Sequence, residues 1–349
     1  MRIRRAGVTD IAREAGVSIA TVSRAMNQPA LVQPETLARI RAVAARLGYV
    51  PNRKAQALVS GRSRIIGIVI PTLNSAIFAS TLETMQRTLY GEGYQLLVTS
   101  NEYDPSSEAA AVAQLISHGV DGLIVVGSAR PRSTLRMIEE AGLPLVQMWS
   151  GSPDHDCIAV DNHLAGRLVA RHLLDLGHRR FGVICGHILS NDRQKSRLAG
   201  VREELAQEGI ALDAARIVEA PINIGAGRGA ARSLMQVSPQ PTALIGLLDV
   251  LAIGAMIELQ EAGLPVPAAA SVAGIDNLEF SAHLAPALTT VSIPSADIGA
   301  QAALRMIARL EGDAAGDSPV RVDLPVTLIV RQSTGPLATA ARNRAREAG

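Results

Sequence analysis

The sequence predicts a small all-α head joined to a two-lobed α/β body built on two doubly wound parallel sheets. Three observations predict it. The first 64 of 349 residues carry twelve Lys or Arg and three acids, a charge of +9, against −7 for the remainder and +2 overall. Within that basic head, helix starts and stops recur at short intervals between Val8 and Gly48. From Ile65 onward, short apolar runs alternate with helix-like stretches, the pattern of parallel strands covered by helices on both faces.

The totals bound the class. The chain is 48% hydrophobic and 19% charged, enough for a sizeable core, while aromatics are only 2%, so the core is expected to be aliphatic. A basic head on an acidic body points to a polyanionic partner for the head alone. Cys157 and Cys185 sit in apolar, strand-like runs and read as buried free thiols. MRIRRAG is followed by Thr-Asp and not by a long apolar run, so no export leader is expected. No stretch reaches the roughly 18 apolar residues of a membrane helix. A cytoplasmic location follows as an expectation.

In the head, Thr9 is expected to cap a first helix running to about Ala15, and Gly16 supplies the left-handed backbone that ends it. Ser18 is a good N-cap for a second helix, Ile19 to Met26. Ile11, Ala15, Val17, Val22 and Met26 form one apolar face, and Ala12 and Ala15 let the two helices cross closely. This is a helix-turn-helix pattern. The opposite face of the second helix shows Ile19, Ala20, Thr21, Ser23 and Arg24. An Arg can grip guanine through two hydrogen bonds, and Ile or Ala can touch a thymine methyl. Thr and Ser hydroxyls suit phosphates. A third helix opens at Pro34, places Leu37, Ile40, Ala44 and Leu47 on one face, and stops at Gly48. The basic segment after Pro51, with Leu58 as its apolar residue, is too short to hold a helix by itself.

In the body, "IIGIVI", "QLLVT", "GLIVVG" and "LPLVQMW" form one series of strands, and "RRFGVICG", "ARIVEA", "TALIGLL" and "ASVAGID" a second. "LTTVSIP", a helix over about Ser295–Glu311, and the strands "VRVDL" and "VTLIV" follow. Three crossings between lobes are expected, near residues 161, 291 and 325. The expected division is 1–50 for the head, 51–64 for a linker, 65–335 for the body and 336–349 for a tail. Lobe 1 takes about 65–161 and 292–324, and lobe 2 about 162–291 and 325–335. Ligands in open α/β sheets bind beyond the strand C-termini, so two facing lobes make a cleft.

The segments "DIAREAGVS", "TVSRAMN", "LGYVPN" and "AQALVSGRS" resemble the lactose- and purine-repressor family of bacterial transcription factors. So do "HLLDLGHRRFGVICG", "SRLAG", "PTALIG", "LAIGA", "GLPVPAAASVAGIDN" and "PALTTV" in the body. The resemblance implies a dimer that binds a near-palindromic operator and answers to a small effector. It implies base reading by Ile19, Ala20 and Arg24, backbone contacts from Thr21, Ser23 and Asn52, and a minor-groove wedge at Leu58. Thr9, Ser18, Asn27, Tyr49, Arg53 and Ala55 complete the implied DNA contacts. At the cleft it implies Asp161 as an acceptor of ligand hydroxyls, Arg197 as the principal effector arginine, and Asp276 on the opposite rim. Ile77, Phe78, Ser128, Trp149, Arg193, Ile222 and Asp249 are the other implied effector contacts.

Departures from the family bear on the effector. Gln33 replaces the usual Ser cap of the third helix. Leu248-Asp249 replaces Asn-Asp, which removes an amide contact. Ser75-Ala76-Ile77-Phe78 stands where Asn-Pro-Phe-Phe is common, and Ile222 stands for an aromatic. Flat rings to stack a purine are expected to be largely missing, with Trp149 the best one left. Arg193 and Lys195 beside Arg197 predict an electropositive rim. "ARPRSTLRMIEEAGLPLV" looks like the corresponding segment of gluconate-type repressors. The expected effector is therefore a sugar or sugar acid, with gluconate or a related aldonate as the candidate.

Other readings are weaker. "GAGRGA" at Gly225–Ala230 has the wrong spacing for a dinucleotide loop and reads as a flexible helix start. His187 reads as a satisfied strand-end residue and not as a cleft group. No metal spacing, cofactor motif or catalytic constellation is present, so no metal site, cofactor or enzyme activity is expected. The tail lacks the leucine heptads of a tetramerising coil. A purine-responsive regulator and a sugar-binding module without DNA are the alternatives. Expected control runs from cleft to linker: lobe orientation sets the spacing of the two "RKAQALVSG" segments in a dimer.

Overall fold

The computed structural model describes residues 6–49, 61–312 and 318–337. Most of the linker and tail, including Asn52, Arg53, Ala55 and Leu58, lies outside them, as does the side chain of Asn27. The chain divides into two compact units, Met1–Arg64 and Ile65–Gly349.

Among its described residues the first unit forms three α-helices, α1 (Val8–Ala15), α2 (Ile19–Asn27) and α3 (Pro34–Arg46). Thr9 does not cap α1. Gly7 is the N-cap, and its N–H donates to the Asp10 carboxylate at 3.0 Å, so a charged acceptor three residues on does the work expected of a hydroxyl. Gly16 ends α1 at φ 65°. The Ser18 hydroxyl accepts the Thr21 N–H at 3.1 Å and starts α2. Pro34 opens α3, and Gln33 makes no side-chain cap. Ile11, Val22 and Ile40 are fully buried and meet with Ala12, Ala15, Ala25, Val43 and Ala44, an aliphatic core closed by Leu37, Leu47 and Tyr49 at its edge.

The second unit holds two six-stranded sheets. Lobe 1 contains β1 (Ile65–Ile70), β2 (Gln95–Ser100), β3 (Gly122–Val126), β4 (Leu145–Trp149), β5 (Asp156–Val160) and β11 (Arg321–Leu324), in the order β2-β1-β3-β4-β5-β11, all parallel. Lobe 2 contains β6 (Phe181–Cys185), β7 (Ile217–Glu219), β8 (Ala243–Gly246), β9 (Ser271–Asp276), β10 (Thr289–Ser292) and β12 (Thr327–Ile329). Their order is β7-β6-β8-β9-β10-β12, with β12 antiparallel on the edge. The central strands are buried on both faces, as parallel strands between helical layers must be. Cys157 and Cys185 are buried free thiols in β5 and β6, and burial pushes both up to about 11. The chain passes between lobes after β5, after β10 and after β11.

Helices α4 (Ala76–Gly91), α5 (Pro105–Ser117), α6 (Arg132–Glu140) and α11 (Ser295–Glu311) belong with lobe 1; α7 (Asn162–Asp175), α8 (Asp192–Gln207), α9 (Ile224–Leu234) and α10 (Asp249–Glu261) belong with lobe 2. Glycines set how closely the lobe 2 pairs cross. A Cβ on Gly166 of α7 would lie 2.0 Å from the Arg197 carbonyl oxygen of α8, and one on Gly200 would lie 2.0 Å from that of His163. Gly227 of "GAGRGA" meets the Leu251 backbone in the same way, so that motif is a close helix crossing behind an Asn223 cap and not a loose helix start. Among the described residues, no helix is long and apolar enough to cross a membrane.

Candidate functional site

On the head, α2 leaves Ile19, Ala20, Ser23 and Arg24 exposed, with Ile19 53% exposed although it is a large apolar residue. Its opposite side buries Val22 and Ala25. Thr21 is half-buried, its hydroxyl 2.8 Å from that of Ser18. Thr9 is exposed within α1, and Tyr49 packs against the head core. One helix therefore presents a short apolar and hydroxyl surface beside a cation, held from behind by the three-helix core.

On the body, the C-terminal ends of both sheets face one cleft. Lobe 1 contributes Ile77 and Phe78 at the start of α4, Tyr103 after β2 and Trp149 at the end of β4. Lobe 2 contributes Arg193, Gln194 and Arg197 from α8, Ile222 after β7, Leu248 after β8, and Asp276, Leu278 and Phe280 after β9. The Phe78 and Trp149 rings meet edge to face with centroids 5.0 Å apart. The expectation that rings are largely missing is therefore corrected. Of eight aromatic residues in the chain, four (Phe78, Tyr103, Trp149 and Phe280) line this cleft. The sequence comparison counted aligned positions, whereas Tyr103 and Phe280 arrive on turns that no motif marks.

The polar floor is a buried network. Arg197, 2% exposed, donates from Nε to Asn162 Oδ1 at 3.0 Å and from Nη1 to the Leu247 carbonyl at 2.8 Å and to Asp276 at 3.1 Å. Asn162 in turn donates to the Trp149 carbonyl at 3.0 Å, which ties the indole's backbone, held at φ 65°, to the arginine. Asp276 is 5% exposed at φ 140°. Its pKa is pushed up to about 7, chiefly by burial, with Arg197 opposing and Asp249 adding to the rise. Burial lowers the pKa of Arg197 for the same reason.

Four expected roles are corrected by position. Asp161 is exposed and caps α7 by accepting the Leu164 N–H at 2.8 Å; its neighbour Asn162 is the residue that reaches Arg197. Asp276 does not sit on an opposite rim, because β9 and α8 belong to one lobe and the pair is in direct contact. Asp249 does not line the cleft. It is fully buried, accepts Leu278 N–H at 3.0 Å and the Ser281 hydroxyl at 2.6 Å, and so braces the turn that carries Asp276 and Phe280. Ser128 does not line it either: its N–H and hydroxyl both go to Asp192, at 2.7 and 2.9 Å. Lys195 also leaves the expected rim, lying on another face of α8 with Ile188, Leu189 and Arg202. His187 is exposed beside Glu219. Among the described residues, no group of three His, Cys, Asp or Glu could hold a metal ion.

A helix-turn-helix head that precedes, in the chain, a two-lobed body with an arginine-floored cleft defines a ligand-binding transcriptional regulator. Residues 7–52 match the model of bacterial regulatory proteins of the lacI family, and residues 170–334 match that of the periplasmic binding protein-like domain. The transcriptional repressor PurR of Klebsiella pneumoniae (strain 342) is 32% identical over 306 residues, 86% of this chain and 89% of that one. The structure of the lac repressor dimer bound to operator and the anti-inducer ONPF is 28% identical, with a TM-score of 0.83 over 95% of this chain and 100% of that one. That of the transcriptional regulator CelR in complex with cellobiose is 26% identical, with a TM-score of 0.71 over 94% and 100%. The chain belongs to the lacI family of bacterial regulatory proteins, which are transcriptional regulators and not enzymes.

Proposed function

We propose that the protein is a dimeric repressor, acting in the cytoplasm, whose affinity for a near-palindromic operator is set by a small sugar acid held between the lobes. The observation that carries the effector class is the charge of the floor. Arg197 lines the cleft beside Asp276, and the raised pKa of Asp276 weakens its claim on Arg197 near neutrality; Arg193 also lines it, its charge shared with Asp192 at 2.9 Å. A ligand carboxylate beside Arg197 meets a planar fork suited to paired hydrogen bonds. The rings of Phe78, Trp149 and Phe280 line the same cleft, and aromatic rings pack against the C–H side of sugars. The printed ligand of the CelR structure, cellobiose, supports the sugar class. Gluconate or a related aldonate is the proposed starting point.

Ligand contacts to both lobes favour one lobe orientation. In a dimer that orientation sets the distance between the two linkers, and with it the docking of Leu58, flanked by Asn52, Arg53 and Ala55, in the minor groove. Ile19, Ala20 and Arg24 read bases, and Thr21 and Ser23 hold the backbone. A thermal-shift screen of sugars, aldonates and purines on the full chain, followed by operator titrations, tests the reading. A bound sugar acid raises the Tm by mass action and weakens operator binding. Arg197→Ala abolishes both responses and leaves operator binding without ligand intact; an unchanged ligand response in that variant refutes the site. The four rings, and the kinship with PurR, favour a purine effector as the second reading, which the purine arm of the screen decides.

A further inference from the structure

Tyr103 lines the cleft from lobe 1, and among the described residues its hydroxyl has no hydrogen-bond partner. A buried tyrosine hydroxyl ordinarily finds one. The charges that reach this phenol come mainly from lobe 2. Burial raises its pKa, Arg193 and Arg197 oppose the rise, and Asp276 adds to it, as does Glu102 in lobe 1. The group therefore keeps its proton at neutral pH. It is an O–H donor held across the cleft from the arginine floor.

The backbone holds the ring there at a conformational cost. Glu102 and Tyr103 are consecutive residues at φ 47° and 61°, and the Asp104 N–H closes the turn on the Asn101 carbonyl at 2.8 Å. Two left-handed central residues mark a turn ordinarily built from Gly, Asn or Asp. A glutamate and a tyrosine persist in it because the surroundings fix them. The Asn101 N–H donates to the Ile70 carbonyl at the end of β1 at 3.0 Å. Asn101 Oδ1 accepts the Tyr103 N–H at 3.1 Å, and its amide donates to Glu108 of α5 at 2.7 Å. Glu108 is itself buried against Arg130, whose Nε donates to it at 2.8 Å. Asp104 caps α5 by accepting the N–H groups of Ser106 and Ser107, both at 3.1 Å. So costly a turn, anchored on β1, α5 and a buried ion pair, ends in a donor that the described chain leaves unused.

We propose that Tyr103 is a ligand-binding residue, the lobe 1 donor to the acid group that Arg197 holds in lobe 2. The ligand carboxylate then accepts from the guanidinium on one side and from the phenol O–H on the other, so the acid group, and not the hydroxyls, draws the lobes together. This rests on the sugar-acid reading above and adds to it the residue that selects the acid. Calorimetric titration of the full chain tests it, with gluconate and with sorbitol, which has the same polyol chain and an alcohol in place of the carboxylate. Hydrogen bonds to a charged group are strong, so Tyr103→Phe should weaken gluconate binding about tenfold or more and leave that of sorbitol, however weak, unchanged. Its Tm without ligand should match the parent's, because the hydroxyl removed holds nothing in the fold. Tyr103→Gly relieves the left-handed turn and should lose gluconate affinity as well, which separates the phenol from the backbone that carries it. Parent-like gluconate affinity in either variant overturns the assignment and leaves the sugar-acid reading standing. So does a Phe variant that weakens both ligands equally or melts well below the parent. A parent that binds neither ligand overturns both.

Discussion

The carboxylate of Asp192, on the first turn of α8 in lobe 2, accepts the Ser150 hydroxyl from the end of β4 in lobe 1 at 2.8 Å. The same oxygen takes the Ser128 N–H and hydroxyl from the end of β3. Burial alone would raise the Asp192 pKa, but Arg193 and these serine donors outweigh it and hold the group down at about 2. It is ionised throughout the neutral range. Arg197 lies further along the same helix, so whatever draws α8 toward a ligand also acts on this contact between the lobes.

Asp192→Ala is expected to loosen this contact between the lobes. Hydrogen bonds to a charged group contribute about 1.5–3 kcal/mol each, and part of that is recovered when the serines meet water in an open form. A net bias of about 1.4 kcal/mol corresponds to tenfold in an equilibrium constant. The variant should show a larger radius of gyration without ligand by small-angle scattering, and about tenfold weaker effector binding. Identical scattering and identical affinity would mean that the clasp carries no part of closure.

Asp276 gives a pH signature of defined sign. Its folded pKa of about 7 lies above the roughly 3.9 of an unfolded Asp. The folded chain therefore holds this proton more tightly. The associated stability is complete below about pH 4 and is lost as pH rises through 7. Asp276→Asn removes the titrating group, so its stability relative to the parent should improve by on the order of 2–3 kcal/mol between pH 5 and pH 8. Thermal unfolding of both proteins across that range measures it. A difference that stays flat with pH would place the carboxyl's titration elsewhere.

The layers of this protein were legible from unequal signals. Helix stops at Gly16 and Gly48 and the Ser18 cap follow from local chemistry, and the structure has each in place. Helix α11 spans Ser295–Glu311, close to where a helix was expected. The start of α1 differs from a Thr9 cap because Gly7 is the N-cap and Asp10 accepts its N–H, and a glycine cap leaves no side-chain mark in the sequence. In the cleft, Arg197 sits in a motif, but its partners do not: Asn162 adjoins the exposed residue that was expected, and Asp192 was overlooked beside two conspicuous cations. Tyr103 depends on a left-handed backbone in a residue that rarely adopts it, for which the sequence carries no mark.

Gly166→Ala tests how the α7–α8 crossing supports the site. The new methyl would lie 2.0 Å from the Arg197 carbonyl oxygen and 3.1 Å from the Val201 nitrogen, both backbone atoms that cannot rotate away. Overpacking of this kind costs about 1–3 kcal/mol, sometimes more. Because relief requires α8 to move, the loss of stability should be accompanied by weaker effector binding, with operator affinity in the absence of ligand changed much less. Gly263→Ala is the contrast. It sits at φ 72° with open space around it, so it should lower stability through strain alone and leave ligand affinity unchanged. Equal effects of the two variants on ligand binding would break the link between the crossing and the cleft.

Arg24 is exposed on α2 beside Ala20 and Ser23, while Val22 and Ala25 anchor the helix from behind. Removing its guanidinium should therefore leave the head folded. Arg24→Ala is expected to cost about 1–3 kcal/mol on the best operator and to relax the preference at one base position. Arg13 supplies the comparison. It is exposed on α1, where it pairs with Asp10 at 3.0 Å, and it lies off the α2 face expected to read bases. Arg13→Ala should weaken binding evenly across sequences and reduce the salt dependence by at most about one charge. Competition titrations over a library of single-base operator variants at two salt concentrations separate the outcomes. If the Arg24 loss were uniform over the library, base reading would have to be assigned to other residues of α2.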